Sequence, residues 1–323
     1  MPGEHVILIT VNMKKPFKVT HEQSGDDTIF AFEETLNADV LVYRNSTTRQ
    51  FFTFRDIFLT SRSDSDSRHY TESYSQDGLS YSIRLENARA KKLQEETLVF
   101  NDNLLNRLEI NKDDTHTTIT FHSTRKLIYY PNTRDYDSTI TLIDPDNEKD
   151  YIVIDPGHGG LDPGAALGDR IEKGINLELS MILYRELERR GHAVYVLREE
   201  DIFIGLFERI EIANLLNARL FLSIHVNSLD DYSVNGILSQ YKNDKQLANL
   251  VHQNVLNRTG ARNMGIGYRN DLLLLNRAKM PILLFETGYL TNDGDWERLN
   301  DQAYLTKMAM GMADGIEEYL AGN

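Results

Sequence analysis

Four residues of this 323-residue chain are of the kinds that hold metals and move protons, and their settings are unusual for such residues. His158 lies in the glycine-rich turn of "VIDPGHGG", residues 153–160. His225 closes "LFLSIH", Glu286 closes "PILLFE", and Glu172 begins "EKGINLELS". Two imidazoles and a carboxylate make a three-donor catalytic zinc site with one position left for water. Zinc lowers the pKa of that water and polarises a carbonyl oxygen, so amide hydrolysis needs one more group, a base beside the water. Two glutamates are on hand for the two roles, one as ligand and the other as base. Each residue also has a blander reading. A lone His at a strand end is commonly a hydrogen-bonded structural group, and Glu172 alone would suit a helix N-terminus. Glu286 resists that reading, because a carboxylate directly after "PILLF" is costly to bury without a partner. The other histidines, His5, His21, His69, His116, His122, His192 and His252, lack such a setting and read as surface or incidental.

The elements that position these residues follow from the pattern after residue 150. Apolar runs at "YIVID", "AVYVL", "RLFLSIH", "GILSQY", "DLLLLN" and "PILLFE" read as strands, separated by amphipathic helical runs. In "GINLELSMILYRELERRGH", Ile175, Leu179, Ile182, Leu183 and Leu187 fall largely on one face and the helix ends near Gly191. The alternation predicts an α/β domain over 150–323, with a twisted, mostly parallel six-stranded sheet and helices on both faces. Ligands bind such sheets beyond the carboxyl ends of the strands, so His158, His225 and Glu286 should face one crevice. The loop carrying Glu172 enters the following helix on the same side.

Residues 1–145 read differently. "TIFAF", "DVLVY", "RQFFTF", "TTITF", "KLIYY" and "STITLI" are short β-branched and aromatic runs between polar turns, and they predict an all-β, sandwich-like domain. "DDTIFAF…ADVLVYRN" is echoed by "DDTHTTITF…RKLIYYPN". The stretch from Ser61 to Gln94 shows no clear period and is assigned no element. "DPDNEKD", residues 144–150, is the expected domain boundary.

Composition narrows the partners. A net charge of −14 argues against nucleic acid and polybasic membrane binding, since both need clustered Lys and Arg. With no cysteine, thiol catalysis, disulfides and thiolate metal sites are excluded. "HVILITV" is too short for a signal-peptide core or a membrane span.

The motifs "IDPGHGGLDPGA", "EKGINLELS", "LFLSIHVNS", "YRNDLLLLNRAKMPILLFETGYLTN" and "MAMGMADGIEEYL" occur in an order that resembles the zinc-dependent N-acetylmuramoyl-L-alanine amidases of the type-3 group. The resemblance covers residues 151 to about 320. It implies that one zinc ion is held by His158, Glu172 and His225, with Glu286 as catalytic base. It implies hydrolysis of the amide between N-acetylmuramic acid and L-alanine of peptidoglycan, and therefore an extracytoplasmic, envelope location. Asn227, Arg269 and Asn270 are candidates for holding the substrate. Tyr289 stands where the family commonly has Phe, which keeps an aromatic ring there. From Asn227 to Gly260, on the path from His225 to Glu286, the chain reads as one strand and one helix with no inserted plug, which implies an open site. An activator or anchoring protein is the expected partner class. "VYRNSTTRQFFTF" resembles the AMIN modules that accompany such amidases, and this implies wall targeting or partner binding for residues 1–145. The competing readings are a non-catalytic peptidoglycan-binding protein of the same fold, which would not need Glu286, and a zinc peptidase or deacetylase sharing the metal site.

Overall fold

Residues 17–24, 27–34, 41–45, 50–57, 59, 69–100, 103–134, 137–144 and 149–322 are described in the computed structural model of the chain. "HVILITV" and residues 145–148 of the expected boundary lie outside them. The chain divides between Leu142 and Ile143 into two compact units.

In the first unit, one sheet of four strands runs in the order Ile128–Arg134, Asp137–Ile143, Gln50–Arg55 and Leu41–Asn45. A second, of five, runs Tyr70–Tyr74, Ser80–Glu86, His116–Ser123, Leu105–Lys112 and Glu96–Val99. They share one core, in which Phe52 and Phe54 of the first sheet meet Phe121 of the second. Two strands fall in the stretch that was left unassigned. Tyr81, Ile83 and Leu85 point inward there, and the alternating Ser82, Arg84 and Glu86 face outward. Residues 17–24 and 27–34 pair as a separate antiparallel hairpin.

The second unit is built on six strands: β1 (Ile152–Pro156), β2 (Val194–Val196), β3 (Leu220–Asn227), β4 (Ile237–Tyr241), β5 (Asn263–Tyr268) and β6 (Ile282–Tyr289). Its helices are α1 (Glu172–Arg189), α2 (Leu206–Leu215), α3 (Lys245–Thr259), α4 (Leu273–Arg277), α5 (Asp293–Leu299) and α6 (Gln302–Ala321). The sheet order is β2-β1-β3-β6-β4-β5. Ile152, Ile154, Leu222, Ile224 and Phe285 pack into one core with α1, α3 and α6. The alternate residues Asp155 and Ser223 point to the other face, where Arg209 of α2 meets Asp155. With both faces covered, β1 is buried at every position, as expected of an inner strand in a layered α/β unit.

Two expectations are corrected. The sheet is mixed, because β4 pairs with β6 antiparallel and β5 then follows β4. "DLLLLN" is not a strand: Leu273–Arg277 form α4, in keeping with the helix preference of leucine, which is unbranched at Cβ. The remaining strand is β5, "NMGIGY", whose two glycines dilute the β pattern. From Asn227 to Gly260 the chain holds one strand and one helix, β4 and α3, in agreement with the sequence reading, and β5 and α4 follow before β6. No helix among the described residues is long and apolar enough to cross a membrane.

The contact between α3 and α6 is close enough to be tested by one methyl group. A Cβ built on Gly315 would lie 2.4 Å from Val251 Cα and 2.7 Å from the Leu250 carbonyl oxygen, both backbone atoms that cannot rotate away. Gly315→Ala should destabilise the chain by about 1–3 kcal/mol through overpacking. Urea denaturation would measure this, and an unchanged midpoint would contradict the packing described.

Candidate metal centre

β1 ends in a turn that could not be built from arbitrary residues. His158 has φ +61°, a left-handed conformation that is uncommon for a residue with a side chain. Its neighbour Gly157 has no room for a Cβ, which would lie 2.3 Å from Cε1 of His225. Gly164, at φ +68°, is similarly constrained, since a Cβ there would fall 2.5 Å from Glu172 Oε2 and 2.6 Å from His158 Cδ2. The glycines thus let backbone approach the two imidazoles and the carboxylate from both sides.

His158, Glu172 and His225 each offer a ligand atom, and these atoms lie within 4.8 Å of one another. Glu172 is the first residue of α1 and only 4% exposed. Its Oε2 accepts from the Ala165 amide at 2.8 Å. Its Oε1 accepts from the Val226 amide at 3.0 Å and Asn176 Nδ2 at 3.1 Å. The same oxygen lies 2.9 Å from His225 Nδ1 and 3.3 Å from His158 Nε2. Four neighbours exceed the roughly two lone-pair directions of one carboxylate oxygen. A cation among the three ligands would take over the two imidazole contacts, so the donor set fits a metal. Asp162 lies 2.9 Å from His158 Nδ1. A carboxylate only accepts, so Nδ1 carries a proton, and with a metal bound the neutral ring would present its Nε2 lone pair to it.

Charges respond to this crowding. Burial opposes the charge on His158, but the carboxylates of Glu172 and Asp162 outweigh it and raise its pKa. Burial alone would raise the Glu172 carboxyl, yet hydrogen bonds from His158 and His225 hold it well below the usual carboxylate range. Glu286 is register-paired with His225 across β3 and β6, on the same face of the sheet. Its Oε2 is shielded from solvent and has no hydrogen-bond partner among the described residues. Burial and then the Glu172 charge, partly offset by the imidazoles and Arg269, push its pKa to about 7. A carboxyl near neutrality is suited to taking and returning a proton, and a bound cation nearby would lower that value.

Of the three residues considered for substrate contact, Asn227 is placed apart from the adjacent pair Arg269 and Asn270. Asn227 lies two positions beyond His225, past an irregularity in the β3–β6 ladder, and its Oδ1 accepts from the Ser228 amide. Arg269 and Asn270 follow β5, and the register sets Tyr268 level with Tyr241 and Leu283, back along β6 from Glu286. Arg269 is clasped by Asp271 at 2.7 and 2.8 Å, and the Asn270 carbonyl accepts from Asn276. Of these two, Arg269 acts on Glu286 through its charge.

Several residues of the site were not found from sequence: Asp155, Asp162, Asn176, Arg198 and Arg209. Asp162 has a local signal, four residues after His158 in the same turn. The others become recognisable only once distant segments meet. His252, read as surface or incidental, is fully buried and bridges Ser239 Oγ and Asn263 Oδ1 at 2.9 Å each, away from the centre.

The sequence profile of the N-acetylmuramoyl-L-alanine amidase family matches residues 152–318. N-acetylmuramoyl-L-alanine amidase LytC of Bacillus subtilis is 34% identical over 174 residues, which are 52% of this chain and 35% of LytC. The chain therefore spans about a third of that relative's length. Among solved structures, N-acetylmuramoyl-L-alanine amidase AmiC2 of Nostoc punctiforme is 38% identical at a TM-score of 0.51, over 53% of this chain and 97% of that one. The CwlD amidase from Clostridioides difficile, solved in complex with the GerS lipoprotein, is 30% identical at a TM-score of 0.52, over 54% and 100% of the two chains.

Gly157 gives a test of the geometry that is independent of activity. Gly157→Ala should displace the His225 imidazole and weaken divalent-metal binding about 10-fold or more, with the secondary structure retained. Equilibrium dialysis against zinc, alongside circular dichroism, would check this; an affinity equal to wild type would show that the ring has room to spare.

Proposed function

The chain belongs to the N-acetylmuramoyl-L-alanine amidase family, and from that membership we propose that it cleaves peptidoglycan at the amide joining N-acetylmuramic acid to L-alanine. In this reading His158, Glu172 and His225 hold one zinc ion and Glu286 is the general base. The observation that carries it is the convergence of those three ligand atoms beside a register-paired glutamate whose Oε2 is unengaged among the described residues.

Zinc at this position would supply Lewis acidity to the scissile carbonyl and acidify water. The chain's own contribution is to orient and to move the proton. Glu286 takes a proton from the attacking water and delivers it to the alanine nitrogen as the C–N bond breaks. Asp162 fixes the ring of His158, and Val226, Ala165 and Asn176 fix both oxygens of Glu172. Asn227 is the substrate contact at this end of the sheet. Arg269 and Asn270 stand further along it, and Arg269 contributes mainly its charge.

The substrate sets the place of action outside the cytoplasm, in the cell envelope. A lipoprotein or similar anchoring or activating protein is the partner class, by analogy with the CwlD complex. The amino-terminal β unit serves, in this proposal, to hold the enzyme on the wall. Removing residues 1–145 should then reduce cosedimentation with intact sacculi, and undiminished sedimentation would count against that role.

The reaction is tested by digesting purified peptidoglycan and counting new alanine amino groups against new reducing sugar ends. Alanine amines should appear without reducing ends, and a zinc chelator should abolish them. Glu286→Gln should keep one zinc per chain and lower kcat by about 10²–10⁴-fold, the range for loss of a general base. Activity near wild type in that variant would remove Glu286 from the mechanism, and activity insensitive to chelation would remove the metal.

A further inference from the structure

Beneath the turn that carries His158 lie two arginines that are among the most buried side chains of the unit, Arg198 at 1% and Arg209 at 2% exposure. Arg209 donates from Nη1 to the Pro156 carbonyl at 2.8 Å and from Nη2 to the His158 carbonyl at 2.7 Å, with Nε on Ile204 O at 2.9 Å. Arg198 donates from Nε to Pro156 O at 3.0 Å, and from Nη2 to Gly157 O at 2.9 Å and Lys173 O at 2.8 Å. Three consecutive carbonyls, 156 to 158, are therefore held by two guanidinium groups. Asp155, which also accepts from Ser223 Oγ at 2.7 Å, pairs with Arg209. Among the described residues, Arg198 has only carbonyl oxygens as hydrogen-bond acceptors. Burial, reinforced by the nearby charge of Arg209, lowers its pKa to about 10, which leaves it protonated at neutral pH.

Burying two cations, with Asp155 paired to one of them and Asp201 acting on the other only through its charge, is an expensive way to close a turn. The arrangement matches a specific need. His158 must remain in a left-handed backbone conformation for its Nε2 to face Glu172, and a side chain disfavours that conformation. We propose that Arg198 and Arg209 are positioning residues for the metal ligand His158, locking the peptide planes on either side of it. The inference rests on the zinc reading given above. A planar fork can span two carbonyls at fixed separation and an ammonium cannot, so the geometry and not the charge is what the site uses.

The test is zinc affinity of the full-length chain, measured by competition with a chromophoric chelator and without reference to turnover. Arg209→Lys keeps the charge and loses the fork, and it should raise the zinc dissociation constant about 10–100-fold, the usual range for a residue that orients a ligand. Ile316→Ala, in the core next to Glu317, which pairs with Arg190 at the end of α1 opposite Glu172, serves as a control that lowers the melting temperature and leaves zinc affinity unchanged. Arg209→Lys combined with Asp162→Asn should show less than additive loss, because both act on the same imidazole. If Arg209→Lys does not fold, Arg198→Lys carries the same expectation. Wild-type affinity in the lysine variants, or a loss that merely follows melting temperature as in the control, overturns the positioning role while the metal site stands. Failure of the wild-type chain itself to bind zinc overturns the metal reading and this inference with it.

Discussion

The structure around the site depends on one buried anion. Glu172, at the start of α1, ties the loop at Ala165, seven residues before it, to Val226 near the end of β3, which is far away in sequence. A carboxylate in so dry a place is tolerated only if its oxygens are well supplied with donors and opposite charge. The fold supplies two backbone amides, one asparagine amide and two imidazoles. That need explains why α1 begins at Glu172 and why β3 carries His225 and Val226 near its end. It also explains the tight glycines, because a Cβ at Gly157 or Gly164 would push apart the groups the anion holds.

The turn bearing His158 shows how a local cost is met by distant parts of the molecule. A left-handed non-glycine residue costs of order 1–3 kcal/mol, while hydrogen bonds from charged donors contribute about 1.5–3 kcal/mol each. The carbonyls at 156, 157 and 158 accept several bonds of that second kind, so the strained state is the stable one. On the positioning role proposed for them, these two buried guanidinium groups support the candidate metal centre without offering it a ligand atom.

These facts also explain which parts could be read from sequence. His158, His225 and Glu286 were legible because each ends an apolar run, where a polar residue must have a reason to be. Glu172 was legible because it opens a periodic helix. Arg198 and Arg209 were not, since in "VLREE" and "FERIEIAN" an arginine looks like an ordinary surface charge. The strands at Tyr70–Tyr74 and Ser80–Glu86 were hidden by charged outward positions. The exchange of α4 for a strand arose because a short run of leucines has no period that separates helix from strand. His252 was misjudged for a related reason: nothing local in "LVHQN" says that Ser239 and Asn263 will enclose the ring.

The reversal of β4 has a consequence for the crevice that the sequence pattern did not convey. In a parallel sheet every strand would deliver its carboxyl end to the metal side, and the residues after β5 would stand beside Glu286. Because β4 runs antiparallel to β6, Leu238 is the register partner of Glu286, and the amino end of β4 lies on the metal side. The segment joining β3 to β4, residues 228–236, therefore flanks the site on that edge. It exposes Leu229 and Tyr232 and is tied down by Asn292, which donates to the Tyr232 carbonyl at 2.9 Å. Asp295 holds its other end, accepting from the Gly236 amide at 2.7 Å and the Tyr289 amide at 3.0 Å. The same antiparallel step sends Arg269 and Asn270 toward the far end of β6. The edge of the site beyond β6 is thus flanked by the chain before β4 and not by the chain after β5.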